Sequence, residues 1–183
     1  MANKDAAFGM KPVRMIGGAP YTGGQSRYRI AANYGTSIFQ GDMVAQVTGG
    51  TVEVHADGGT VPVVGVFNGV QYTDPTSGDQ VFSNYYPAST NASDIIAFII
   101  DDPDVVYEVQ ADDTFPVTDL FGNFDIVYTS AGSTSTGISG AELDVTTGAT
   151  ATTLPIKAID ISEDPNNSCL LYTSPSPRDG LLS

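Results

Sequence analysis

From Arg27 onwards, short apolar runs alternate with turn residues, and none of the longer runs has the period of a helix. The runs are rich in Val, Ile, Tyr and Phe, and clusters of Gly, Pro, Asp, Asn, Ser and Thr separate them. The segments with this pattern are RYRIAANY, MVAQVT, TVEVH, VPVVGVFNGVQY, QVFSNYYPA, DIIAFIIDD, DVVYEVQADD, FDIVYTSAG, AELDVTT and LPIKAIDIS. Their spacing predicts an all-β fold, a single β-barrel or β-sandwich domain with very little helix.

Three local signals refine this prediction. Gly49 and Gly50 separate MVAQVT from TVEVH and predict a hairpin, because paired glycines adopt positive φ at little cost. FPVTDLFG is the best helical candidate, a single turn that Gly122 ends. STSTGISG is small and polar, which is typical of a surface loop.

The composition of residues 1–26 predicts an extended N-terminal arm. Gly and Pro are too frequent there for a helix or a long strand. The segment also carries apolar side chains that need to be covered, among them Phe8, Val13 and Tyr21. We therefore expect the arm to lie along its own body or along a neighbouring subunit, and we assign residues 27–168 to the all-β domain.

Residues 169–183, CLLYTSPSPRDGLLS, differ in composition from the rest of the chain. They contain its only cysteine, Cys169, and they follow a body that has no Lys or Arg between residues 30 and 156. Their first eleven residues closely resemble a frame translation of the DNA adapter used in transposase-based sequencing libraries. We interpret 169–183 as a non-native, adapter-derived tail, and we expect it to lie outside a domain that is truncated at its C-terminus.

The charge of the chain is unevenly distributed. Residues 1–29 carry five Lys or Arg against Asp5, whereas residues 30–168 carry nineteen Asp or Glu against Lys157. Such a body repels nucleic-acid phosphates, and no apolar run has the length of a membrane span or the pattern of a signal peptide. The asymmetry favours an arm that binds an acidic surface, for example the body of another copy. A solubilising acidic surface explains the charge equally well.

The acidic segment DDPDVVYEVQADD is the densest group of candidate metal ligands. Asp101, Asp102 and Asp104 offer the hard oxygen atoms that calcium prefers. Their spacing does not match an EF-hand, and solvated acids at the ends of a hairpin are the simpler interpretation. We therefore expect no metal and no cofactor, with calcium as the better candidate if a cation is bound.

Motifs for catalysis do not occur in the sequence. His55 is the single histidine and follows a strand beside a Gly-rich turn, where an exposed position is expected. There is no GxSxG nucleophile elbow, no phosphate-binding loop and no D-[TS]-G turn. We expect no enzymatic activity; a hydrolase that acts through a carboxylate pair has no motif in its support.

Several segments follow one another in a characteristic order: FGMKPV, YRIAANYGTSIFQGDMV, VVGVFNGVQY, VFSNYYPA, AFIIDDPDVVYEVQAD and GSTSTGISG. This order resembles a family of head-associated, decoration or cement-like structural proteins of tailed marine phages, and the resemblance covers most of residues 8–168. It implies a non-enzymatic virion protein that assembles in the host cytoplasm and binds capsid protein, other virion subunits or further copies of itself. It implies no contact with nucleic acid or membrane.

The same resemblance implies two sets of contact residues. In the arm they are Phe8, Lys11, Pro12, Val13, Arg14 and Tyr21, which would lie along a neighbouring subunit. On the barrel they are Phe39, Asp42, Phe67, Tyr72, Tyr85 and Tyr86, although core packing explains several of the tyrosines equally well. The alternative function is a carbohydrate-binding β-domain of a phage tail or cell-surface protein, which would use exposed Tyr and Asp side chains.

Overall fold

The structure is a computed structural model that describes residues 6–56, 58, 61–149, 154–162 and 170–175. This part of the chain consists of β-strands and a single 3-10 turn, Val117–Asp119, which confirms the predicted all-β fold. The strands are β1 (Lys11–Met15), β2 (Ser26–Arg29), β3 (Ile38–Phe39), β4 (Met43–Val47), β5 (Thr51–Val54), β6 (Val63–Thr73), β7 (Gln80–Ser83), β8 (Tyr85–Tyr86), β9 (Ile96–Ile100), β10 (Val105–Gln110), β11 (Asn123–Tyr128), β12 (Ala141–Ala149), β13 (Ile156–Ile161) and β14 (Leu170–Pro175).

Five strands form a small closed barrel. They are hydrogen-bonded in the order β4-β5-β2-β9-β6, and a further ladder between β4 and β6 closes the ring. β7 pairs with the last four residues of β6 and lies outside the ring. Because successive side chains of a strand face opposite sides, alternate residues such as Val44, Val70 and Ile99 fill the interior.

The second sheet is antiparallel and has the order β1-β10-β14-β13-β11-β12. An isolated bridge between Ala111 and Leu143 brings β12 back to the end of β10. The inner side of this sheet packs against the outer side of the barrel wall at Met43, Val66 and Ile100. The two β regions therefore share a second apolar core outside the barrel.

The local turn predictions have different outcomes. Gly49 and Gly50 have φ of 112° and 77° and connect β4 to β5, so the predicted hairpin is confirmed. The segment FPVTDLFG contains the single helical turn predicted for it, and the turn is of the 3-10 type. The loop STSTGISG is only partly a surface loop, because Gly137 and Ser139 are buried against the body.

The arm lies along its own body, the first of the two positions expected for it. β1 pairs with β10, and Met10, which is only 3% exposed, belongs to the core. The N–H of Met10 donates to the carbonyl of Gly41 at 2.9 Å. Gly9 has φ of +70°, and a Cβ there would lie 2.6 Å from Cβ of Ser139, so this close approach requires glycine. Residues 1–5 lie outside the described residues.

The C-terminal segment departs from the expectation that it takes no part in the fold. Leu170–Pro175 form β14, which lies between β10 and β13 and pairs with both. Leu171 and Thr173 are fully buried, and Tyr172 between them faces the other side. Alternation places Leu171 and Thr173 on the buried face, and pairing with both neighbours satisfies the backbone, so resemblance to an adapter does not prevent this segment from forming a strand. Residues 163–169 and 176–183 lie outside the described part.

Candidate interaction surface

An apolar pocket lies where the arm crosses from the barrel to the second sheet. Its volume is about 400 Å³, which is within the range of small-ligand sites. The arm contributes one wall and both β regions contribute the others, and the lining residues are Phe8, Met10, Lys11, Pro12, Gln40, Gly41, Val66, Phe67, Asn68, Ile100, Glu108 and Ile138. The pocket can accept an apolar side chain or a small apolar molecule.

Polar groups surround this pocket. Nε2 of Gln40 donates to Oδ1 of Asn68 at 2.9 Å, and Nδ2 of Asn68 donates to Oε1 of Gln25 at 2.8 Å. On the arm side, Nζ of Lys11 lies 3.3 Å from Oε2 of Glu108. The Lys11 side chain is 62% exposed, so this ion pair is screened by water and contributes at most about 1 kcal/mol to stability.

Most of the arm residues implied as contacts are partly buried on the chain itself. Phe8 lines the pocket, Pro12 and Val13 belong to β1, and the Arg14 guanidinium lies 5.8 Å from the ring centroid of Tyr172. The Tyr21 hydroxyl donates to the carbonyl of Gly24 at 2.9 Å. Lys11 is the exposed member of this set.

The barrel residues implied as contacts belong mainly to the interior. Phe39, Asp42, Phe67, Tyr72 and Tyr86 are at most 7% exposed, so their side chains fill the core rather than a contact surface. Tyr85 is partly exposed, and its ring stacks on that of Phe39 with centroids 5.7 Å apart. The interpretation of several tyrosines as core residues therefore holds for Tyr72 and Tyr86.

A buried carboxylate joins the barrel to the second sheet. Oδ2 of Asp42 accepts the backbone N–H of Phe39 at 2.7 Å, and Oδ1 accepts the hydroxyl of Ser139 at 2.5 Å. Burial raises the pKa of Asp42 to about 6, although both hydrogen bonds act in the opposite direction. Oγ of Ser139 also accepts the N–H of Ala141, so the serine is fixed by two bonds and acts as a connector.

The single histidine is buried, which corrects the expectation of an exposed position. His55 is 1% exposed, and its Nε2 lies 3.6 Å from Oδ1 of Asp125, which is 2% exposed. Within the described residues neither ring nitrogen of His55 has a hydrogen-bond partner. The backbone N–H of His55 donates to the carbonyl of Met43, at the end of the β4–β5 hairpin. The ring lies against Asp125 of β11, so the second sheet covers it. The pair has no serine or cysteine bonded to the ring, and it lies outside the lining of the arm pocket.

The carboxylates of Asp101 and Asp102 both accept hydrogen bonds from the chain itself, and Asp104 contributes its backbone N–H to one of these bonds. Oδ2 of Asp101 accepts the hydroxyl of Tyr28 at 2.9 Å, and Oδ1 of Asp102 accepts the N–H of Asp104 at 2.9 Å. Across the residues that the structure describes, no group of three or more His, Cys, Asp or Glu side chains is arranged to hold a metal ion. The geometry here is that of a turn between β9 and β10.

Two exposed apolar sites were not identified from the sequence. The first is the outer side of the barrel, where Phe82 on β7 is 67% exposed and shares its side of the sheet with Arg27 and Arg29 on β2. The second is the 3-10 turn, where Val117 and Phe121 are 67% and 66% exposed. The alternation R-Y-R in β2 indicates that both arginines share one face, but only the strand order shows which side chains accompany them.

Comparison of the chain with models of protein families, with curated proteins and with solved structures gave no match. No helix in the described ranges is both long enough and apolar enough to cross a bilayer. The arm pocket and the two exposed apolar sites are therefore the features that bear on its function.

Proposed function

We propose that this chain is a non-enzymatic structural protein of a virion, of the capsid decoration or cement type, and that it binds neighbouring subunits through its arm and its barrel surface. The observation that carries the proposal is the arm pocket. The arm crosses both β regions, leaves Lys11 and Ile16 exposed, and forms one wall of an apolar cavity that a neighbouring side chain can enter. A contact of this size is weak by itself, and a lattice multiplies it through avidity.

Because Met10 belongs to the core, the arm cannot be tested by simple deletion. Deletion of residues 1–26 would test an arm that is separate from the body. Met10 is a core residue and β1 covers β10, so the deletion would also destabilise the second sheet. Point changes at exposed arm residues keep the fold intact and are therefore more informative.

The test uses capsids assembled from the capsid gene of the genome that encodes this chain. Purified chain is mixed with the capsids and pelleted, and bound chain is measured against capsid protein. We expect binding at a fixed ratio, a strong loss with Lys11→Glu combined with Ile16→Asp, and unchanged binding with Lys157→Glu, which reverses a charge on β13. Absence of binding by the unaltered chain, or equal binding by all three proteins, contradicts the proposal.

The genomic context gives an independent test. Long-read sequencing of the parent DNA without tagmentation, across the codon for residue 168, shows both the neighbouring genes and the residues that the frame encodes after this codon. Capsid or portal genes on either side support a virion protein. Metabolic or cell-wall genes on both sides contradict it.

The carbohydrate-binding alternative would use tyrosine rings that are open to solvent, together with Asp side chains. All nine tyrosines lie in the described part of the chain, and each is at least partly buried. A structural role therefore has more support from the surface than glycan recognition has.

A further inference from the structure

The outer side of the barrel carries a continuous cationic and apolar face. Across β2, β9, β6 and β7 the register pairs Arg29 with Ile96, Ile96 with Gln71, and Gln71 with Phe82. Two residues further along each strand, on the same side of the sheet, Arg27 of β2 pairs with Phe98 of β9. Because the residues that alternate with them fill the barrel, these side chains point outward. We name Arg27, Arg29, Phe82, Ile96 and Phe98 the arginine–phenylalanine face.

The charges of this face are available to a partner. The guanidinium of Arg27 lies 5.8 Å from the ring centroid of Phe98, a cation–π distance. In the described ranges Lys11 pairs with Glu108 and His55 lies beside Asp125, and neither arginine of the face has a carboxylate partner within 4 Å. Asp94 lies at one end of the face, where its carboxylate accepts the hydroxyl of Thr73 at 2.6 Å. Arg and Phe are enriched in protein interfaces, whereas a free surface of this acidic chain favours Asp and Glu.

A second exposed segment consists of the 3-10 turn and the two residues after it, which we name the 117–121 turn. It carries apolar side chains beside acidic ones, and these match the apolar side chains and the arginines of the first face. Val117 and Phe121 are both about two-thirds exposed, Asp119 lies between them in the chain, and Asp113 precedes Val117 by four residues. Phe121 has φ of +68°, a conformation that a bulky side chain rarely adopts. Two backbone hydrogen bonds hold it there. The N–H of Phe121 donates to the carbonyl of Ala158 at 3.0 Å, and the N–H of Gly122 donates to the backbone carbonyl of Asp119 at 3.0 Å. Strain of this kind is maintained where an exposed side chain has a use.

We propose that the arginine–phenylalanine face of one copy binds the 117–121 turn of a second copy. Phe121 and Val117 would cover the exposed ring of Phe82 and the side chains of Ile96 and Phe98, while the two arginines meet Asp113 and Asp119. The two patches lie on different parts of the chain, so the contact is heterologous and extends into a ring or a row of subunits. The inference deepens the proposed function by naming a second copy as one partner, but its test needs only the purified chain.

A charge exchange tests the contact directly. One variant carries Arg27→Asp and Arg29→Asp, and the other carries Asp113→Arg and Asp119→Arg. Sedimentation velocity is measured at low salt, because salt screens such pairs, with a reductant that keeps Cys169 from cross-linking and with chain concentrations up to the millimolar range. We expect the unaltered chain to self-associate, each variant alone to associate about tenfold or more weakly, and an equal mixture of the two variants to recover association.

The control is Lys157→Glu, which changes the net charge as much as Arg27→Glu does. We expect Arg27→Glu to weaken association and Lys157→Glu to leave it unchanged. A monomeric unaltered chain throughout the series, unimpaired association of both charge variants, or a mixture that stays monomeric each overturns the inference. Loss of capsid binding with normal self-association concerns the proposed function alone.

Phe121→Gly separates a contact role from a structural one. Glycine adopts positive φ freely, so this change should raise the melting temperature or leave it unaltered while it weakens self-association by about tenfold or more. A lower melting temperature with unchanged association shows that Phe121 serves the fold, and it overturns the inference.

Discussion

The barrel and the second sheet are built from different kinds of chain segment. All strands of the barrel come from residues 26–100, and a ladder of three residue pairs between β4 and β6, with a register shift after Val44, closes it. The second sheet takes β1 from the arm and β14 from residues 170–175, and a single bridge connects β12 to β10. The barrel is thus a local unit, whereas the second sheet depends on segments from both ends of the chain.

This difference has a consequence for stability. Segments that are distant in sequence lose more conformational entropy when they pair than neighbouring segments do. Regions with such pairings open at a lower free energy than the most stable core. We therefore expect the second sheet to exchange amide hydrogens faster than the barrel, and each of the following changes tests that order.

The largest effect is expected from Phe67→Ala in the barrel. Phe67 is fully buried among the interior side chains, and a Phe→Ala change in a core costs about 3–5 kcal/mol through lost contacts and a cavity. The free energy of unfolding, measured with urea, should fall by this amount, and exchange should accelerate in both regions. Val61→Ala, at a residue that is 48% exposed, should have little effect. Acceleration in the barrel alone would show that the second sheet does not depend on it.

Leu171→Ala is expected to loosen the second sheet selectively. Leu171 is fully buried on β14 between β10 and β13, and the truncation costs about 2–5 kcal/mol. Hydrogen exchange followed by mass spectrometry should show faster exchange in β10, β13 and β14 while β4, β6 and β9 stay protected. An equal increase in both regions would show that they unfold as one unit, and that the second sheet does not open at a lower free energy than the barrel.

Asp42→Asn tests the connection between the two regions through its pH dependence. The pKa of Asp42 is raised from 3.8 to about 6, so the folded state holds this proton more tightly than the unfolded state. The stabilisation is complete below about pH 4, is lost as the pH rises through about 6, and amounts to about 3 kcal/mol. The difference in unfolding free energy between the unaltered chain and Asp42→Asn should fall by this amount over that interval. A difference that does not change with pH would show that the carboxyl is not desolvated.

The smallest effect is expected from Gly65→Ala in the barrel wall. A Cβ at Gly65 would lie 2.2 Å from the carbonyl oxygen of Ile100, so β6 and β9 must shift, at a cost of about 1–3 kcal/mol. The matched control is Gly35→Ala, where no atom lies within 4 Å of the added Cβ. Urea midpoints should separate the two variants, and identical midpoints would show that the wall adjusts without cost.

The sequence predicted features that depend on neighbouring residues and missed those that depend on distant ones. The hairpin at Gly49 and Gly50 was predicted because its signal is the dipeptide itself. His55 was expected at the surface because its local context is a strand end beside glycines. It is buried because the second sheet, which follows much later in the chain, covers it. No sequence pattern near residue 55 indicates that the second sheet covers this side chain.

The contact residues show the same limit. Period-two alternation shows that Phe67 and Val66 face opposite sides of β6, but both sides of this strand are covered, one by the barrel interior and the other by the second sheet. The arginine–phenylalanine face needs the order β2-β9-β6-β7 to exist at all. Alternation fixes which side chains share a face, and strand order fixes which faces meet solvent.

The sequence by itself determined the all-β class, the positions of most strands, the hairpin and the single 3-10 turn, because backbone geometry and turn chemistry act over a few residues. Only the tertiary structure decided that the arm lies on its own body, that residues 170–175 lie between β10 and β13, and that Asp42 and His55 are buried. Those outcomes depend on which distant surfaces cover one another, and burial is a property of the assembled surfaces rather than of any local pattern.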